Sequence, residues 1–233
     1  ASLNFAENLL RDSDNPQALV FWGEDKIRQS LSRQELRTEV ARFAAALSAA
    51  GVEQGDRVAA YMPNVPATLI AMLAASSIGA VFTSASPDFG VQGVVDRFGQ
   101  TEPKVLLSCD GYWYNGKAID ITGKLAELMP RLPSVRQLVV VPYLAAGAEP
   151  DLAGLPRAVS YKHFVAPFQH VTEPRYVRLP FDHPLYVMYS SGTTGVPKCI
   201  VHGAGGTLLQ HLKEHRLHSD VKDGDRLFYF TTC

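Results

Sequence analysis

Net charge is nearly absent from this chain: 22 lysines and arginines face 23 aspartates and glutamates, a formal charge of −1. Without a basic field the chain has no long-range means of gathering nucleic acid or an anionic membrane surface. No run of like charges forms a tail. Cysteine is scarce as well. Cys109, Cys199 and Cys233 are odd in number and not spaced as a zinc knuckle or redox pair, which excludes a disulfide scaffold and leaves a reducing, cytoplasmic setting as the expectation. The first residues lack a basic segment followed by an apolar run, so no secretory signal is expected. Residues 58–87 lack any charge, a length that raises the question of a membrane span. Pro63, Asn64 and Pro66 break that stretch and Ser76, Ser77, Ser84 and Ser86 dilute it. It reads as strand, turn, helix and strand, all buried, and no membrane association is expected.

What is present suits a sizeable core. Of 233 residues, 46% are hydrophobic and 19% charged, enough for one large domain or two small ones. Residues 18–22 and 27–31 flank Gly23-Glu24-Asp25 as a β-hairpin, with Trp22 packed in it. Ser32 and Glu35 stand at capping-box spacing, and Leu36, Val40, Phe43, Ala44 and Leu47 recur at helical spacing until Gly51. An alternation follows. Strands are predicted over 57–62, 80–83, 104–107 and 137–141, and helices over 67–78, 119–129 and around Val91, Val94, Val95 and Phe98. This βαβ rhythm predicts an α/β fold, a mainly parallel sheet with helices on both faces. Prolines at 142, 150, 156, 167, 174 and 180 mark residues 142–180 as a linker with one short helix over 160–165. Strands over 185–189, 198–201 and 227–231 and a helix over 207–217 complete the chain. The expected organisation is a hairpin and helix over 1–56, an α/β subdomain over 57–141, the linker, and the start of a second α/β subdomain over 181–233.

The sharpest signal is Tyr189-Ser190-Ser191-Gly192-Thr193-Thr194-Gly195-Val196-Pro197-Lys198. Glycines let backbone amides approach an anion closely, and successive amides in a turn make a concave nest for phosphate oxygens. Hydroxyls add donors, and Lys198 adds a full positive charge. The common nucleotide-triphosphatase loop needs Gly-Lys followed by Ser or Thr. Here Pro197 stands in place of that glycine and Cys199 in place of the hydroxyl, and the loop joins two strands. The phosphotransfer reading is disfavoured accordingly.

All ten positions resemble the phosphate loop of the acyl-adenylate-forming enzymes, the family of acyl-CoA synthetases, peptide-synthetase adenylation domains and luciferases. Residues 55–64 and 77–81 resemble that family's early strand-and-turn motifs. Residues 3–10, 86–90, 205–215 and 228–233 are similar to its branch that joins acetoacetate to coenzyme A. The resemblance implies a two-step ligation. A carboxylate attacks the α-phosphorus of ATP and releases pyrophosphate, and the coenzyme A thiol then displaces AMP. It implies that Ser190, Ser191, Gly192, Thr193, Thr194 and Gly195 hold the β- and γ-phosphates, with Lys198 and Thr194 in the catalytic roles. Phe89, Gly90 and Lys117 resemble coenzyme A contacts, and His202 lies in the substrate vicinity or serves as a core histidine. The family fold would continue beyond Cys233 with an acyl-pocket segment, the residues holding most of the Mg2+ shell, and a smaller C-terminal domain. The chain is thus expected to be the truncated N-terminal part of that fold, inactive alone.

Alternatives stay open at this stage. Acetate or another short acid could replace acetoacetate, and a non-catalytic nucleotide-binding module could keep the loop. Nothing in the sequence reads out oligomeric state. His211, His215 and His218 share one helix face and read as a partly solvated surface rather than a zinc clamp. Cys199 reads as a small buried hydrophobe. Tyr112-Trp113-Tyr114 reads as a loop cluster near the coenzyme site.

Overall fold

A computed structural model describes residues 2–11, 16–145, 148–190, 195–229 and 231. In chain order these form β1 (Ser2–Leu3), α1 (Phe5–Leu10), β2 (Gln17–Gly23), β3 (Ile27–Ser32), α2 (Arg33–Ala49), β4 (Arg57–Tyr61), α3 (Pro66–Ser77), β5 (Val81–Ala85), α4 (Val91–Thr101), β6 (Val105–Cys109), β7 (Gly111–Tyr114), β8 (Lys117–Asp120), α5 (Thr122–Leu128), β9 (Gln137–Val141), β10 (Ala158–Ser160), α6 (Tyr161–Val165), β11 (Leu179–Pro180), β12 (Pro184–Ser190), β13 (Lys198–Gly203) and α7 (Ala204–Lys213).

Seven strands make one sheet in the order β10-β9-β6-β4-β5-β12-β13. All pairings are parallel except β12 with β13. The α/β, mainly parallel expectation therefore holds. From β4 the chain steps through α3 to β5, then back through α4 to β6 on the other side of β4. With right-handed crossovers, α3 and α4 lie on opposite faces. Val58, Ala59, Ala60 and Tyr61 of β4 are buried, as a strand covered on both faces requires. The order reverses around β4, and in such sheets ligands bind outside the carboxyl ends of the strands at that reversal.

Local signals explain most boundaries. Ser32 accepts from the Glu35 amide at 3.1 Å while the Glu35 carboxylate accepts from the Ser32 amide at 2.7 Å, the reciprocal cap read from the sequence. Asn4 is the N-cap of α1, and its buried amide nitrogen lies 2.9 Å from the carbonyls of Ser77 and Val177 and 3.2 Å from that of Ser76. This one side chain ties the start of the chain to the end of α3.

Several expectations change. The helix predicted over 119–129 begins at Thr122. Ile119 and Asp120 belong to β8, which pairs antiparallel with β7, so Tyr112-Trp113-Tyr114 is a strand and not a loop. Asn115 and Gly116 have φ of 50° and 74°, the left-handed pair of a tight hairpin turn. Residues 142–180 contribute β10, which pairs with β9, while α6 is the short helix expected there. No strand forms at residues 227–229 or at 231, and the helix from Ala204 passes at Glu214 into a π-helical turn through His218. Trp22 is 68% exposed, with the Arg28 guanidinium 5.0 Å from its ring centroid. No helix among the described residues is long and apolar enough to cross a membrane.

Candidate active site

The phosphate-loop sequence closes the β12–β13 hairpin. Ser190 pairs with Lys198 across its mouth, so the loop's two ends are neighbouring strand positions. Paired Cα atoms of an antiparallel ladder stand about 4.5–5.5 Å apart, which returns the lysine to the loop's entry. Gly195 has φ of +96°, a conformation that costs a glycine little. Ser191, Gly192, Thr193 and Thr194, of which the phosphate cradle is expected, lie outside the described residues.

The hairpin is clamped from one side by the sheet and from the other by α4. Thr83 Oγ1 of β5 lies 2.8 Å from the Tyr189 hydroxyl and 2.9 Å from the Val187 carbonyl. The Thr101 hydroxyl is 3.4 Å from the same phenol, and the Phe98 ring packs 6.5 Å from the Tyr189 ring. Burial raises the Tyr189 phenol above its ordinary value, so it remains a neutral hydroxyl in this network. On the far strand, Gln100 donates to the Pro197 carbonyl at 2.8 Å, and the Cys199 thiol donates to the Gln100 side-chain oxygen at 3.6 Å. Cys199 is exposed, contrary to the buried reading, because β13 is an edge strand whose first four residues face solvent.

Phe89 and Gly90 sit in the turn between β5 and α4, on the same edge of the sheet. The Lys124 ammonium of α5 donates to the Pro87 carbonyl at 2.9 Å and reaches that of Phe89 at 3.4 Å. The buried Tyr61 hydroxyl lies 2.6 Å from the Phe89 carbonyl and 3.0 Å from that of Pro87, and burial pushes its pKa up to about 12. Tyr112 donates to the Asp88 carboxylate. The turn's backbone is thereby fixed while Phe89 stays 39% exposed, its side chain presented to solvent. Gly90 is the N-cap of α4.

A cleft of about 520 Å³ opens beside this turn, at the point where the strand order reverses. Asp88, Asn64, Trp22, Trp113, Tyr114 and Tyr143 are among the residues lining it; Phe89, Gly90 and Lys117 are not. Lys117 is exposed at the start of β8, opposite Tyr114. Asp110, which does not line this cleft, accepts from the backbone amides of Tyr143, Leu144 and Ala145 at 2.8–2.9 Å and so fixes the segment that carries Tyr143. His202 pairs with Tyr186, their ring centroids 5.1 Å apart, four residues along β13 from Lys198. At about 3.3 Å per residue, that is about 13 Å from the loop's mouth. Sequence reasoning missed Arg97, Gln100, Asp110 and Lys124, none of which belongs to a motif, and gave Tyr61, inside the 55–64 motif, no role of its own.

A family model described as AMP-binding enzyme matches residues 6–233. The chain belongs to the AMP-binding enzyme family. The acetoacetyl-coenzyme A synthetase of Rhizobium meliloti is 55% identical over 235 residues, which cover 100% of this chain and 35% of that protein. A malonamoyl-CoA synthetase of Penicillium aethiopicum is 44% identical over 243 residues, covering 100% of this chain and 34% of its own length. Among solved structures, an acetoacetyl-CoA synthetase from Streptomyces lividans superposes with a TM-score of 0.91 at 43% identity, over 100% of this chain and 35% of that one. The chain thus spans about a third of the AMP-binding enzymes it matches, and the fold described above is that of their N-terminal region.

Proposed function

We propose that this chain is the phosphate-gripping portion of an AMP-forming acid–CoA ligase. The complete protein joins a short 3-oxo acid, with acetoacetate as the first choice, to coenzyme A at the expense of ATP. The observation that carries the reading is the hairpin whose mouth places Lys198 beside Ser190 while Gln100, Thr83 and Thr101 hold both strands. An attacking carboxylate and a triphosphate repel each other. A fixed ammonium and preorganised donors lower that cost without reorganising during the reaction.

In this reading the amides and hydroxyls of residues 190–195 take the β- and γ-phosphates, with Thr194 and Lys198 steadying the departing pyrophosphate. The carboxylate oxygen bonds to the α-phosphorus and the bond to the pyrophosphate oxygen breaks. The coenzyme A sulfur then bonds to the acyl carbon, AMP leaves with the former carboxylate oxygen, and the thiol proton passes to solvent. Neither step calls for a nucleophile from this chain, so its contribution is position and charge. Phe89, Gly90 and Lys117 form the coenzyme side, with the aromatic cleft beside them. Among the described residues no three His, Cys, Asp or Glu side chains are placed to hold a metal ion. A magnesium ion on the ATP phosphates would add charge neutralisation, and no step here is routed through it. The acid is inferred from chemistry that the two relatives' names share. Acetoacetate and malonamate both carry a carbonyl one methylene from the carboxylate.

The test uses the complete protein. Lys198→Ala should lower acid-dependent ATP–pyrophosphate exchange by about 10²–10³, the range for removing one preorganised donor. Acetoacetate and malonamate should support exchange better than acetate or 3-hydroxybutyrate. Unchanged exchange in the variant would remove Lys198 from the site, and exchange with none of the four acids would end the ligase reading.

A further inference from the structure

α4 reaches both ligand loops. Its N-cap follows Phe89, and its last turn carries the Phe98, Gln100 and Thr101 contacts to the phosphate-loop hairpin. Between these ends lies Arg97. Its guanidinium carbon is 4.1 Å from the centroid of the Phe89 ring and 5.8 Å from that of Tyr189. Its Nη1 donates to the Gly93 carbonyl at 2.7 Å. That bond lays the side chain back along the helix toward its N-terminus, the direction in which helical side chains lean.

A guanidinium is planar, permanently charged and weakly hydrated, so it stacks on aromatic faces where an ammonium would stay in water. Both rings lie within the distance at which a cation feels an aromatic quadrupole. The two rings are not equally held. Tyr189 is anchored by Thr83 and Thr101, whereas the Phe89 side chain is 39% exposed. The bridge therefore has one fixed end and one end free to respond to a ligand.

We propose that Arg97 is a positioning residue that joins the phosphate loop to the 86–90 turn, so that a change at Phe89 alters how the hairpin holds a triphosphate. The proposal rests on the reading above of these loops as the ATP and coenzyme sides, and goes beyond it by linking them. Moving the Phe89 ring takes away one of the two faces that hold the guanidinium. Arg97 then samples other rotamers, and Tyr189, the residue from which the phosphate loop departs, loses a neighbour.

The decisive measurement is made where no coenzyme is present. In the complete protein, ATP–pyrophosphate exchange with saturating acetoacetate gives a KM for ATP in wild type, Phe89→Ala, Arg97→Met, Arg97→Lys and the double variant F89A/R97M. Phe89→Ala is expected to raise this KM about fivefold, or about 1 kcal/mol at 1.4 kcal/mol per tenfold. Arg97→Met should raise it at least as far, and Arg97→Lys should recover part of the loss by keeping the charge. The double variant should be no worse than Arg97→Met, since both substitutions break one contact. A Phe89→Ala enzyme whose KM for ATP stays within twofold of wild type overturns the proposal, as do single effects that multiply in the double variant. Should Arg97→Met fail to fold, Phe89→Ala and Arg97→Lys decide on the same criteria. Should wild type show no exchange at all, the ligase reading falls separately. Calorimetric ATP titration of wild type and Phe89→Ala then decides for Arg97, equal dissociation constants refuting it.

Discussion

Asn4 offers a test in which two rules of thumb give opposite answers. Its side-chain oxygen caps α1 by accepting from the Glu7 amide at 3.2 Å, a role that aspartate fills as well as asparagine. Its amide nitrogen, fully buried, faces the carbonyls of Ser76, Ser77 and Val177. Two hydrogens serve three acceptors, so about two net bonds at about 1 kcal/mol each, plus about 1 kcal/mol for the cap, put Asn4→Ala about 3 kcal/mol below wild type. Asn4→Asp keeps the cap but turns an acceptor-only carboxylate toward three carbonyls in a fully buried site. The aspartate must then be protonated to fold. With an unfolded pKa of about 3.9, that costs about 4 kcal/mol at pH 7 and about 1.5 kcal/mol at pH 5. The sign follows from linkage: a carboxyl whose folded pKa is raised destabilises increasingly as pH climbs above its unfolded value. Urea unfolding of both variants at pH 5 and pH 7 should show Asn4→Asp losing roughly 2–3 kcal/mol relative to wild type between those conditions, with Asn4→Ala moving in parallel with wild type. An Asn4→Asp protein as stable as wild type at pH 7, or with a deficit independent of pH, would refute the cross-link and leave Asn4 as a helix cap alone.

Two further stability effects should follow from carboxylates. Asp110→Ala removes the shared acceptor of three backbone amides at 143–145, and a loss of about 3 kcal/mol should lower the melting temperature by about 6–12 °C; a melting temperature that stays put would show that solvent replaces the carboxylate at no cost. Asp56 is partly desolvated, which by itself raises its pKa, but the Lys104 ammonium, the Glu53 amide and Arg57 together hold it below its ordinary value. Its contribution is thus present above about pH 4 and lost as pH falls through the depressed folded pKa. The gap in melting temperature between wild type and Asp56→Asn should be constant from pH 5 to 7 and close below pH 4, and a gap that persists at pH 2.5 would count against the ion pair.

The parts of this fold legible in the sequence are those whose determinants are local. The Ser32–Glu35 cap lies within one helical turn, and the apolar faces of α2 and α4 repeat at helical spacing. The Asn115-Gly116 turn was equally local, and it signals a hairpin. The sequence reading passes over it and extends a helix to 119, because Ile119 matches helical spacing as readily as strand alternation. The exposure of Cys199 and the absence of a strand at 227–229 are of another kind. A strand's burial depends on what covers it and on a partner, and neither is written in the strand itself.

The candidate site divides along the same line. Glycines, hydroxyls and Lys198 could be read as phosphate chemistry because an anion nest is built from consecutive residues. What holds the hairpin that carries them comes from residues 88 to 106 positions away: Thr83, Arg97, Gln100 and Thr101 contact Tyr189 and Pro197. None of the four has a motif, because a hydroxyl or amide on a strand or a helix's last turn is ordinary until topology sets a partner beside it. The parallel pairing of β5 with β12 supplies that partner. By returning through α4 between the two loops, the chain makes the helix that crosses the sheet also the support of the hairpin. Substitutions on the inner face of α4 should therefore disturb nucleotide binding more than their distance in sequence suggests, whereas those on its solvent face should not. The loop's motif is thus written locally, and the support of the hairpin that carries it is written in the order of the strands.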